Sequence, residues 1–152
     1  MSNLLFILFR FVIRTHRKQL ELSMKNNELK QALISQLNGL NDDQWETCNI
    51  IFQFPPTINK GYKSLPNFFD KEKNRVRFFL PISQLFDNVL YKYIQDANLE
   101  GRFNQITVLA KNRDLHEAEV NVTFNQEIVD SFENNLPKSK RGKTIPWWKN
   151  QG

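Results

Sequence analysis

Two histidines and one cysteine stand in this 152-residue chain, and none of them falls in a pattern that sustains catalysis. His116 is followed by Glu117 and Glu119. An imidazole beside two carboxylates on one strand face could begin a metal site, but no third well-placed ligand is visible, so the segment reads as a solvated turn. His16 lies in a basic N-terminal stretch. Cys48 alternates with Ile50 and Phe52 in an apolar strand, where a thiol ordinarily fills core space. Asp42 and Asp43 are adjacent carboxylates in a helix-to-strand turn, where such groups cap or solvate. The five glycines are scattered singly and leave no phosphate-cradling loop. There is no Ser-centred elbow and no Cys-His pairing. A restriction-type nuclease needs an acid followed by Glu-x-Lys on adjoining strands, and Glu117-Ala-Glu119-Val120-Asn121 departs from that text. The sequence therefore predicts no catalytic residue, no cofactor and no metal. A binding protein outranks an enzyme.

Candidates for binding lie elsewhere. The last stretch, KSKRGKTIPWWKNQG, carries Lys138, Lys140, Arg141, Lys143 and Lys149 without an acid, next to Trp147 and Trp148. Interleaved cations and aromatics suit a nucleic-acid backbone and its stacked bases, with Arg75 and Arg77 as further contacts. The rest of the chain offers no basic face to continue such a groove, which favours docking of this tail on its own domain or on a protein partner. Phe68 and Phe69, in a long connection from Thr57 to Asn74, are either partner contacts or residues folded back onto the core.

These residues need a scaffold, and the composition permits one. At 40% hydrophobic and 24% charged, with thirteen Phe, the chain has the makings of one folded domain with an ordinary core. A single cysteine excludes an internal disulfide and makes a reducing, cytoplasmic setting the default expectation. The formal charge of +5 is uneven: residues 1–23 hold Arg10, Arg14, Arg17 and Lys18 against Glu21, which leaves the remainder at +2. Leu4 to Ile13 is apolar apart from Arg10, about half the ~20 residues a membrane span requires. Three readings of residues 4–18 stay open: packing on the domain, an upstream extension with the true start at Met24, or contact with an acidic membrane surface.

Periodicity supplies the elements. An amphipathic helix is expected from about Leu20 to Leu40, with Leu22, Leu29, Ala32, Leu33, Leu37 and Leu40 at helical spacing. A strand from Thr47 to Phe54 ends at Pro55-Pro56. A second, Arg75 to Leu80, turns Val76, Phe78 and Leu80 inward. A helix from Ile82 to Asn98 carries Ile82, Leu85, Phe86, Val89, Tyr93 and Ala97 on one stripe, widened by Leu90 and Ile94. Arg102 to Phe124 is the clearest hairpin: Ile106, Val108 and Ala110, then Val120, Val122 and Phe124, alternate with more polar neighbours across a Lys111–Glu117 reversal. Asn125 caps a last short helix with Ile128, Val129, Phe132 and Leu136 on one side, stopped by Pro137.

The resulting order, α-β-β-α-β-β-α, predicts an α+β fold of two layers, with a four-stranded, mainly antiparallel sheet and the longer helices on one face. The expected domains are an apolar and basic extension, 1–23, a single α+β domain, 24–137, and a basic Trp-containing tail, 138–152. The opposite sheet face, with Asn49, Ile51, Gln53, Arg77, Thr107, Leu109, Asn121 and Thr123, is mixed in character and can serve as a partner surface.

A helix ending before Trp45, the aromatic strand NIIFQF, an amphipathic helix after FFLP and the FNQITVLAK…AEVNVTF hairpin ahead of IVDSFENNLP together resemble the YezG-like immunity proteins of bacterial polymorphic-toxin systems. The resemblance covers roughly residues 24 to 150. It implies a protein that binds and neutralises a cognate toxin, often a nuclease, inside the producing cell, and it brings no catalytic residues. The charge differs: partners of nucleic-acid-cutting toxins tend to be acidic, whereas a basic tail repels a basic toxin.

Overall fold

The computed structural model describes residues 2–37, 44–56, 61–77, 80, 82–97, 103–135 and 137–140. Helix α1 (Ser2–Leu37) leads into strands β1 (Thr47–Gln53), β2 (Lys63–Phe69) and β3 (Arg75–Val76). Helix α2 (Gln84–Ala97) then precedes the hairpin strands β4 (Gln105–Lys111) and β5 (Asp114–Thr123), and helix α3 (Gln126–Asn134) and a single 3-10 turn (Lys138–Lys140) follow. The strands form one antiparallel sheet in the order β3-β2-β1-β4-β5. The class is α+β, as the alternation of periods implies.

The sheet has five strands, not four. The segment expected to be a connection holds β2, which pairs with β1 along its full length, Lys63 opposite Gln53 and Phe69 opposite Thr47. Pro66 and Gly61 disguised it. Among the described residues β3 pairs with β2 only at Phe68 and Phe69, so the rest of β2 is an edge, where a residue without an N–H is tolerated. The strand expected over Arg75–Leu80 is correspondingly reduced to Arg75–Val76. Phe78 lies outside the described residues, while Leu80 is buried.

One sheet face makes the core. Cys48, Ile50 and Phe52 from β1, Phe68 from β2 and Ile106, Val108 and Ala110 from β4 are buried against Leu29, Leu33 and Leu37 of α1 and Phe86, Leu90, Tyr93 and Ile94 of α2. A period of two meets a period near 3.6, and the two longer helices cover the same side. Polar ties fix them: the Tyr93 hydroxyl donates to Asn26 Oδ1 at 2.5 Å, Lys25 pairs with Asp96 at 3.4 Å, and the Gln36 side-chain oxygen accepts from the Ser83 N–H at 3.0 Å.

Several positions differ from expectation. Helix α1 begins at Ser2 and runs unbroken through Met24, yet Leu22 is exposed and residues 4–13 do not lie on the domain, which corrects the first reading of that segment. Ile82, just ahead of α2, and Leu85 are exposed, whereas Phe86 and Tyr93 of the expected stripe are buried together with Leu90 and Ile94 beside it; the Ser83 hydroxyl accepts from the Phe86 N–H, so the helix starts at Gln84. In the hairpin the reversal is tighter than Lys111–Glu117. Asn112 and Arg113 alone make it, both left-handed at φ 55° and 59°, as a two-residue type I′ turn requires. Phe124 is exposed, and irregular pairing between Leu109 and Lys111 accompanies the burial of Leu115 and Ala118 in β5. Asn125 does cap α3, its side chain accepting from the Glu127 N–H at 3.0 Å.

Candidate protein-binding surface

Strand alternation that points one set of side chains into the core sends the other set to the opposite face, and the register assigns them to rows. Lys63, Gln53, Gln105 and Thr123 form the first row. Leu65, Ile51, Thr107 and Asn121 form the second, and Asn67, Asn49, Leu109 and Glu119 the third. Neither α1 nor α2 lies on this side. The face is apolar through its middle, with Leu65, Ile51 and Leu109, and set with carboxamides around that stripe. Most of these side chains are half-buried.

The amides are largely occupied. Gln53 donates to Gln105 Oε1 at 3.1 Å, Asn121 donates to Glu119 Oε1 at 2.8 Å, and Asn67 reaches the Leu65 carbonyl at 3.4 Å. Asn49 is the exception. Its Oδ1 is buried and has no hydrogen-bond partner among the described residues, between Asn67 and Leu109 in the middle of the face. A shielded acceptor left unpaired costs about 1–3 kcal/mol, so the site favours whatever brings it an N–H or O–H.

At one end of this face a cleft of about 620 Å³ opens between the end of β1, the start of β2 and α3, lined by Gln53, Tyr62, Lys63, Asn125, Ile128 and Phe132. Tyr62 is rigidly placed there. Its hydroxyl donates to Asp87 Oδ1 at 2.5 Å, and its ring meets Phe52, Phe54 and Tyr91 at centroid distances of 5.6–6.0 Å. Burial, and then the Asp87 carboxylate, push the phenol well above its ordinary value. The phenol is thus held in one orientation by its bond to Asp87 and the three rings around it.

The residues singled out from sequence are dispersed. Phe68 is a core residue, its ring edge-on to Trp45 at 5.4 Å, so it offers no contact surface. Phe69, next in the strand, is half-buried on the open face. Arg75 and Arg77 are exposed at the β3 edge. Lys140 ends the 3-10 turn, while Arg141, Lys143, Trp147 and Trp148 lie outside the described residues. His116, Glu117 and Glu119 do not converge: His116 Nδ1 lies 3.4 Å from Gln31 Nε2, its carbonyl accepts from Lys30, and Glu119 is engaged by Asn121. No cluster of three metal-ligating side chains occurs among the described residues. The Cys48 thiol, buried under the helices, is pushed up to about 11 by desolvation, against a smaller lowering from its Ala110 backbone hydrogen bond. Sequence reasoning named Asn49 as a face residue but had no signal for its missing partner, and it missed the cleft because β2 read as loop.

No family model, curated protein or solved structure matches the chain.

Proposed function

We propose that the protein is a non-enzymatic binding module of the immunity type, which neutralises a cognate bacterial protein toxin in the cytoplasm by covering its active surface with the open face of the sheet. The observation that carries this reading is the buried Asn49 Oδ1, unpaired among the described residues, at the centre of an apolar and carboxamide surface. Apolar residues supply area, and an orphan acceptor supplies specificity, because only a partner with a donor at that point relieves the desolvation penalty. The Phe69 and Lys63 rims and the cleft beside Tyr62 extend the same surface. The sequence resemblance to YezG-like immunity proteins points the same way.

The test is co-expression with the product of the neighbouring gene. The native chain is expected to co-purify with that product and to restore growth. Ile51→Glu and Leu109→Glu place a charge in the apolar stripe without touching the core, and each is expected to weaken binding tenfold or more while leaving the thermal midpoint nearly unchanged. Asn49→Leu is expected to weaken binding yet leave the free protein as stable or more so, by up to about 1–3 kcal/mol, since it removes the unpaired acceptor. Absence of both co-purification and protection, or native affinity in both glutamate variants, overturns the reading.

A further inference from the structure

The first half of α1 has no part in the binding face. Leu4, Leu5, Phe6, Ile7, Leu8, Phe9, Phe11, Val12 and Ile13 are each 51–76% exposed. Among the described residues, Lys25 and Asn26 are tied to Asp96 and Tyr93 of α2, and the first buried side chain is Leu29. Nine exposed apolar side chains within ten consecutive residues are a concentration unlike the singly scattered apolar residues of an ordinary surface. Such a surface is built to be covered.

Its chemistry selects the cover. At 100° per residue Arg10, Arg14 and Arg17, spaced by four and three, form one narrow stripe with Asn3, flanked by Phe6 and Ile7, while Leu4, Leu5, Leu8, Phe9 and Val12 spread over the opposite side. Lys18 adds a fourth cation, and the only acid among the first 23 residues is Glu21, 4.0 Å from Arg17. The Arg10 guanidinium lies 4.5 Å over the ring of Phe6, its neighbour one turn back on the same side of the helix. The apolar band is wider than the narrow seam along which two helices pair, so a second copy would leave most of it wet. Leu4 to Ile13 rises ~15 Å, half of the ~30 Å hydrocarbon core, so the segment is too short to cross it. No described helix is long and apolar enough to cross a membrane. A short helix with a broad apolar side and a cationic stripe fits one environment, the headgroup and acyl boundary of an anionic bilayer.

We propose that residues 3–18 of α1 form a lipid-surface anchor, lying in the plane of an anionic leaflet with Leu4, Leu5, Leu8, Phe9 and Val12 immersed and Arg10, Arg14, Arg17 and Lys18 among the phosphates. From Glu21 and Met24 onward α1 lies along α2, beside Val89, Tyr93 and Asp96, on the side of the sheet away from the proposed partner face, so that face stays available.

Co-sedimentation of the full chain with phosphatidylcholine vesicles, with and without phosphatidylglycerol, tests the anchor. The expected result is at least tenfold stronger partition onto the anionic vesicles, weakening as salt rises. Leu5→Asp with Phe9→Asp is expected to abolish it, and Arg10→Glu with Arg14→Glu and Arg17→Glu to reduce it at least tenfold. None of these residues touches the core, so the thermal midpoint should not move. Equal partition onto neutral vesicles overturns the proposal. So does an oligomer, by light scattering, that binds no vesicles, and so does retention of vesicle binding in the double aspartate variant.

Discussion

Asn104 and Asn125 hold each other in both directions: Asn104 Nδ2 donates to the Asn125 carbonyl at 2.9 Å, and Asn104 Oδ1 accepts from the Asn125 N–H at 2.7 Å. Asn104 is fully buried, the one buried polar residue among those described. Its own N–H donates to the Thr123 carbonyl, and its carbonyl accepts from Phe54. One side chain and its backbone thus join the ends of β1 and β5 to the cap of α3, and so set the wall of the cleft beside Tyr62.

That geometry fixes the consequence of changing it. Asn104→Ala strips partners from both backbone groups of the half-buried Asn125, and Asn104→Asp replaces the donor with a carboxylate facing a carbonyl. Each is expected to cost about 2–4 kcal/mol, measured as a lower urea midpoint at constant slope. An unchanged midpoint would mean that water reaches Asn125, and the bridge would then have no structural role.

Alkaline pH should act through a different group of residues. Burial pushes the Tyr93 phenol up to about 12, and burial followed by the Asp87 carboxylate raises Tyr62 and Tyr91. Burial likewise raises Cys48 to about 11. In the unfolded chain these groups lose protons near their ordinary values of 10.0 and 9.0. Above those values the unfolded state therefore binds fewer protons than the folded one, and stability declines. It is complete below about pH 9 and is lost as pH rises from there through about pH 12. Urea midpoints taken across that window should fall with pH. Tyr93→Phe should flatten the fall by removing one titrating group, and Asp87→Asn should flatten it by easing Tyr62 and Tyr91. A fall of equal steepness in both variants would place the alkaline sensitivity elsewhere.

The features that could be read from sequence were those in which one element sets its own pattern. Ile106, Val108 and Ala110 alternate because β4 is central and buried on one side only, and Asn125 caps α3 because a carboxamide one residue before a helix has few other uses. Leu29, Leu33 and Leu37 mark the helix face that meets the sheet. What stayed hidden depends on the relation between elements. Strand β2 has Pro66 in its middle, and only its place at an edge makes that tolerable. Leu85 sits on the apolar stripe of α2 but faces outward because the helix begins at Gln84 and rolls Phe86 inward. The unpaired Asn49 oxygen and the reciprocal Asn104–Asn125 bonds are invisible in sequence, since an asparagine does not announce which of its atoms will find a partner.

The tight turn gives a last expectation, because it places an ordinary residue where glycine is preferred. Arg113 holds φ 59° at the second position of the β4–β5 reversal. A left-handed conformation costs a residue with a Cβ roughly 1–2 kcal/mol. Partly offsetting this, the Arg113 N–H donates to the Glu46 carbonyl at 3.0 Å, and its guanidinium lies 3.8 Å from the Glu46 carboxylate. Arg113→Gly keeps the backbone bond and loses the ion pair, which is worth little at that exposure. Glycine also adds freedom to the unfolded chain. The balance is an expected gain of about 0.5–1 kcal/mol in thermal or urea unfolding. Arg113→Val keeps the strain and worsens it with a β-branched side chain, for an expected loss of about 1–2 kcal/mol. If glycine instead destabilised the hairpin, the Glu46 contacts would outweigh the backbone strain, and the link between the turn and the segment ahead of β1 would be the stronger constraint.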